Sequence, residues 1–150
     1  MSGQIWRLHC VLCIGLAMSV TGCWGEYSSS AVYPVQGSVL VKGVPAAYAR
    51  VTLVPINEDE KEIASAVGVA NEQGEFKLWT REGTGKRRDG ARAGAYLVSV
   101  SWRIPEDPRS SDTTYSDELL PPRFQDPEQS GLKIEISSRD RELPPIELNP

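Results

Sequence analysis

Ile63-Ala64-Ser65-Ala66-Val67-Gly68-Val69-Ala70-Asn71-Glu72-Gln73-Gly74-Glu75-Phe76-Lys77-Leu78-Trp79-Thr80 is the stretch whose reading decides the fold. Ile63, Ser65, Val67 and Val69 alternate with Ala64, Ala66, Gly68 and Ala70, the two-residue period of a strand. The pattern breaks at Asn71-Glu72-Gln73-Gly74 and resumes with Phe76 and Leu78 on one face. Asn71 can hydrogen-bond its own backbone, and Gly74 can take a positive φ without a Cβ clash, so a hairpin is predicted. On its second arm Trp79 falls beside Glu75 and Lys77, opposite Phe76 and Leu78. Trp79 is therefore expected to face outward or to lie under a covering loop.

The same grammar extends in both directions. Val35, Gly37, Val39 and Val41 form one face of an earlier strand, which Lys42-Gly43-Val44-Pro45 then turns. Val51 and Leu53 mark another strand, ended or kept at an edge by Pro55, which lacks an N–H. Downstream, Tyr96, Val98, Val100 and Trp102 share one face, with Leu97, Ser99, Ser101 and Arg103 on the other. Leu132, Ile134 and Ile136 give a sixth strand, and Ile146 and Leu148 a seventh. Seven short strands separated by turn residues predict an all-β fold, a seven-stranded antiparallel β-sandwich of the prealbumin or immunoglobulin kind.

Two connections depart from this spacing. Asn57 to Glu62 is an acidic loop without the glycine and closing glutamate of a calcium-binding loop, and reads as solvated. Ile104 to Ser130 is long for a connection and holds five prolines. Its first half, Glu106 to Asp117, is polar, whereas Leu120 and Phe124 are expected to pack back on the domain as a strap. The prolines beside them lower the entropy lost on ordering.

The N-terminus reads as an address. Arg7 is the only charge before Cys23, and Leu8 to Val20 form a mostly apolar run shorter than the roughly 20 residues a membrane span needs. Val20-Thr21-Gly22-Cys23 resembles the lipobox of bacterial lipoproteins, which implies that Cys23 becomes the acylated first residue, carrying palmitate-type chains. Cleavage after Ala17-Met18-Ser19, or retention of the run as an anchor, are the alternatives. Residues 1–22 are thus assigned to a signal peptide, 23–32 to the lipidated cysteine and a flexible tether rich in serine, and 33–150 to the domain. Two or more acyl chains hold a protein stably on a bilayer.

This address removes most reactive chemistry. Cys10, Cys13 and His9 lie in the apolar run, and Cys23 is blocked by lipid, so the mature chain has no histidine and no free thiol. Ser-His-Asp and Cys-His catalysis and the usual zinc sites are excluded with them. Asp and Glu number 20 against 16 Lys and Arg in 150 residues, a balance opposed to general nucleic-acid binding. Gly83-Thr84-Gly85-Lys86 glances at a phosphate loop, but Thr80 replaces its first glycine and Arg87 its magnesium-holding hydroxyl. No cofactor, metal or catalytic residue is expected, and Trp79 and Tyr115 are the candidate ligand contacts.

Val35-x-Gly37-x-Val39 before a Gly-x-Pro turn, Asn71-x-x-Gly74-x-Phe76, Gly94-x-Tyr96-x-Val98 and Leu120-Pro121-Pro122-x-Phe124 together carry a resemblance. Their order resembles the carboxypeptidase regulatory-like, or transthyretin-like, domains of envelope lipoproteins from planctomycete-type bacteria. The resemblance implies an extracytoplasmic accessory without catalytic activity, anchored in the cell envelope at the outer membrane. A monomeric structural or interaction module, meeting an envelope protein or polysaccharide, is the expected function. A carbohydrate-binding module is the alternative, and a glycosidase built on two carboxylates is a more distant one.

Overall fold

The computed structural model describes residues 31–56, 65–81 and 85–150. The apolar run, Cys23 and the following residues to Ser30, the acidic loop at 57–62 with Ile63 and Ala64 of the expected third strand, and Glu82 to Thr84 lie outside the described residues. The described chain is mostly β, with no α-helix and only one 3-10 turn, Pro122–Gln125. Its strands are β1 (Val32–Tyr33), β2 (Gln36–Val41), β3 (Val44–Pro45), β4 (Arg50–Pro55), β5 (Ala66–Val69) and β6 (Glu75–Lys77). They continue with β7 (Trp79–Arg81), β8 (Arg87–Asp89), β9 (Ala91–Arg92), β10 (Gly94–Ser101), β11 (Lys133–Ile136) and β12 (Ile146–Leu148).

These strands form several sheets that do not close into a barrel. The largest runs β11-β10-β4-β5-β7-β8 and is antiparallel throughout. A second sheet is built on β2, whose one edge carries β12 and whose other edge is shared by β3 and β6. A two-stranded ribbon pairs β1 with β9. All seven expected strand positions are occupied, but the count and the uniform antiparallel pairing are not. Short extra strands appear at β1, β3, β8 and β9, and β12 joins β2 in parallel. Alternation along one strand carries no record of its partner's direction, which is why the parallel pair could not be read.

The predicted hairpin exists, but its arms are pried apart. Val67 pairs Trp79 and Ala66 pairs Thr80 at the open end, and Asn71 N donates to Glu75 O at 2.8 Å at the turn. The register is the same at both ends, yet between them the second arm leaves as β6 to pair β2. The wedge is Phe76. A Cβ on Gly68 would stand 2.7 Å from the Phe76 ring, so the glycine makes room for a ring that is itself buried. The turn follows the predicted chemistry: Asn71 Oδ1 accepts from Gln73 N and Glu75 N, both at 2.9 Å, and Gly74 has φ +76°. Any side chain there would meet the Val39 carbonyl oxygen at 2.8 Å. Lys42 and Gly43 both have positive φ, the mirror-image turn that suits a two-residue hairpin between β2 and β3.

One core cluster gathers inward residues from both main sheets. Tyr96, Val98 and Val100 of β10 and Val51 and Leu53 of β4 come from the large sheet, and Val39, Phe76, Ile146 and Leu148 from the smaller one. The predicted face of β10 is therefore the buried one. Trp102, just past the strand, is half-buried and donates from Nε1 to Ala47 O at 2.9 Å. Leu120 and Phe124 are buried at 4% and 5% exposure, as a strap requires. The polar half before them is not irregular. Pro105 bridges Tyr115, Glu106 N donates to Thr114 O and Ser116 N to Ile104 O, both at 2.9 Å, making a second hairpin. Its stem is held by Glu118, which accepts from Ser101 Oγ and Trp102 N, both at 2.6 Å.

Candidate functional site

Side chains alternate across a sheet, so burial of Val51, Leu53, Val98, Val100, Ala66 and Thr80 turns their neighbours outward. The register then sets Ser101, Arg50 and Val69 in one row on the outer face of the large sheet. Ser99, Thr52, Val67 and Trp79 make the next row. On β5 the small residues face the core and the valines face out, because Phe76 fills the space above Gly68.

Trp79 is half-buried, and its cover is the basic segment that follows it. The Arg87 guanidinium lies 4.8 Å and that of Arg81 5.9 Å from its ring centroid, distances at which a cation is drawn to an aromatic quadrupole. Beside it lies an open groove of about 560 Å³ lined by Val69, Asn71, Glu75, Lys77, Trp79 and Arg87, with Gln36 to Ser38 of β2 among the others. Tyr115 sits on the second hairpin and is 56% exposed. It lines a depression of about 290 Å³ with Tyr48, Arg50, Val69, Ser101 and Arg103. Val69, 47% exposed, borders both spaces, so Trp79 and Tyr115 flank it on one face of the molecule.

Tyr48, Arg50 and Arg103 were not legible as site residues. They reach the depression from a loop, the start of β4 and the segment after β10, and no local pattern marks that meeting. Tyr48 is the most constrained of them. Its φ is +66°, a left-handed value uncommon for a bulky residue, and its N–H donates to Ala70 O at 3.1 Å. Its hydroxyl donates to Glu72 Oε1 at 3.0 Å. Desolvation, then the hydrogen bond and negative charge of Glu72, raise the phenol above its ordinary pKa. Arg103 is fixed by Nε, which donates to Ser116 O at 3.0 Å.

Cys23 lies outside the described residues. Among the described residues there is no group of three or more His, Cys, Asp or Glu side chains that could hold a metal ion. What the face offers is contact chemistry: aromatic rings, outward valines and guanidinium groups. The sequence matches no protein-family model and no curated protein.

Proposed function

We propose that the chain is a non-catalytic lipoprotein of the cell envelope, anchored through acyl chains on Cys23, whose domain acts as a structural or interaction module. The observation that carries this reading is the outer face of the large sheet, where Val69 at 47% and Tyr115 at 56% exposure stand together with Trp79 beyond. Exposed apolar side chains gathered on one face are the mark of a contact surface. The lipobox at Val20 to Cys23 supports the anchor and an extracytoplasmic location, and a monomer at the outer membrane belongs to the same proposal. Two sheets contributing to one core support the finer fold reading, a β-sandwich of the carboxypeptidase regulatory-like or transthyretin-like kind.

The test is a photo-crosslinking side chain placed at Val69 in living cells, with the same group at exposed Glu147 as control. Adducts with an envelope component from position 69 and not from 147 are expected. Equal labelling at both positions overturns the reading. The juxtaposition of Trp79 and Tyr115 favours carbohydrate as a second reading. Glycan-array binding that is lost in Trp79→Ala and Tyr115→Ala would raise it above a protein partner.

A further inference from the structure

We propose that the depression between Tyr48 and Tyr115 is a binding site for a carboxylated sugar of the uronic-acid class. The proposal rests on the second, carbohydrate-binding reading and names the chemistry of its ligand. The walls are two phenol rings, two guanidiniums, Val69 and Ser101; the carboxylates of Glu72 and Glu118 adjoin it and are engaged by the Tyr48 and Ser101 hydroxyls. On a chain of net charge −4, two arginines lining one concave site give a ligand carboxylate two cationic partners, while both adjoining acids already accept from protein hydroxyls.

The guanidiniums are available as well as present. Arg50 is exposed, stands in register with Val69 and Ser101, and its side chain makes no hydrogen bond or ion pair among the described residues. Arg103 spends only Nε on Ser116 O, which fixes the plane of the group and leaves both Nη nitrogens for a ligand. An arginine held in this way presents a fork that matches the two oxygens of a carboxylate. An isolated surface lysine would offer charge without that geometry.

The tyrosines select the rest of the ligand. Tyr48 is held through its N–H by Ala70 and through its hydroxyl by Glu72, so its ring does not have to be ordered on binding. Tyr115 is carried by the cross-braced second hairpin, whose stem Glu118 ties to Ser101 and Trp102. A phenol combines an apolar ring face with a polar tip, which suits the C–H face and hydroxyls of a sugar ring. The volume of about 290 Å³ lies at the small end of ligand pockets, matching one or two sugar rings. Backbone strain at Tyr48 falls at the same place, as strained residues tend to do at ligand clamps.

The experiment is calorimetric titration of the full lipidated chain in detergent with trigalacturonate, its fully methyl-esterified form and sodium acetate. The acid should bind, the ester should bind at least tenfold more weakly, and acetate should not bind detectably. Affinity for the acid should fall as salt rises. Arg50→Ala and Arg103→Ala should each lower affinity at least tenfold, Arg50→Lys less so, and Arg139→Ala in the turn before β12 should have no effect. Unchanged thermal midpoints separate these losses from unfolding. Equal binding of acid and ester, absence of binding, or full affinity in Arg50→Ala overturns the proposal. Loss in Trp79→Ala with retention in Arg50→Ala also overturns it, by placing the ligand in the other groove. None of these outcomes bears on acylation of Cys23, and crosslinking from Val69, which lines the depression, persists with another partner if the acid does not bind, so the two readings fail separately.

Discussion

Gly68 stands against the Phe76 ring with no space for a methyl group. Phe76 is 2% exposed and has nowhere to retreat, so Gly68→Ala is an overpacking change and should cost about 1–3 kcal/mol in urea unfolding. On β10 the two faces make a paired test. Val100 is fully buried, and Val100→Asp should unfold the domain, since an isolated buried carboxylate costs more than the ~5–15 kcal/mol that holds a domain together. Ser99→Asp, on the outer face opposite Thr52, should leave the circular-dichroism melt nearly unchanged. At Asp140 the backbone N–H of Ser137, 2.6 Å away, is the main cause of a lowered pKa, with the Ser137 side chain and the Arg141 charge adding to it. A lowered folded pKa means that the contribution is present above about pH 4 and is lost as pH falls through the lowered value. Asp140→Asn should therefore reduce the acid sensitivity of the thermal midpoint and leave no difference at the lowest pH.

Among the elements, the segment from Ile104 to Phe124 does two separate jobs. Its hairpin half is braced by Glu118, whose Oε1 also accepts from Leu120 N at 3.3 Å, and Glu118→Ala leaves the Trp102 N–H without that partner. Hydrogen exchange at Trp102 and through 104–116 should accelerate, with a stability loss of about 2 kcal/mol. The strap half behaves as core, so Phe124→Ala should cost about 3–5 kcal/mol. Strand positions and the strap were legible because both follow from apolar spacing and proline placement within a few residues. Partner choice was not. Phe76 and Leu78 read as one strand, yet the chain changes sheets between them, because Gly68 admits the ring and lets β6 swing to β2. Trp79 was legible as outward from its place beside Lys77. Tyr48 and the two arginines were not, because register and tertiary approach alone bring them to Tyr115.

For the molecule as a whole, the proposed anchor is the reading most directly open to measurement. Mass spectrometry of the membrane-extracted protein should find acyl chains on an N-terminal Cys23, and Cys23→Ala should accumulate as an unprocessed precursor. An unmodified N-terminus at Val20 would remove the anchor while leaving the domain untouched. The parallel union of β2 with β12 has a further consequence, for synthesis rather than for binding. Its partners, Val39 and Ile146, are about a hundred residues apart, and Lys42 N also waits for Leu148 O. A chain leaves the ribosome N-terminus first, so β2 emerges unpaired, gains β3 and β6 early, and keeps its other edge bare until residues 146–148 have been made. The nascent domain therefore cannot lock early. It stays threadable while it is being made, and during that interval the exposed edge of β2 is what a holding chaperone would need to cover.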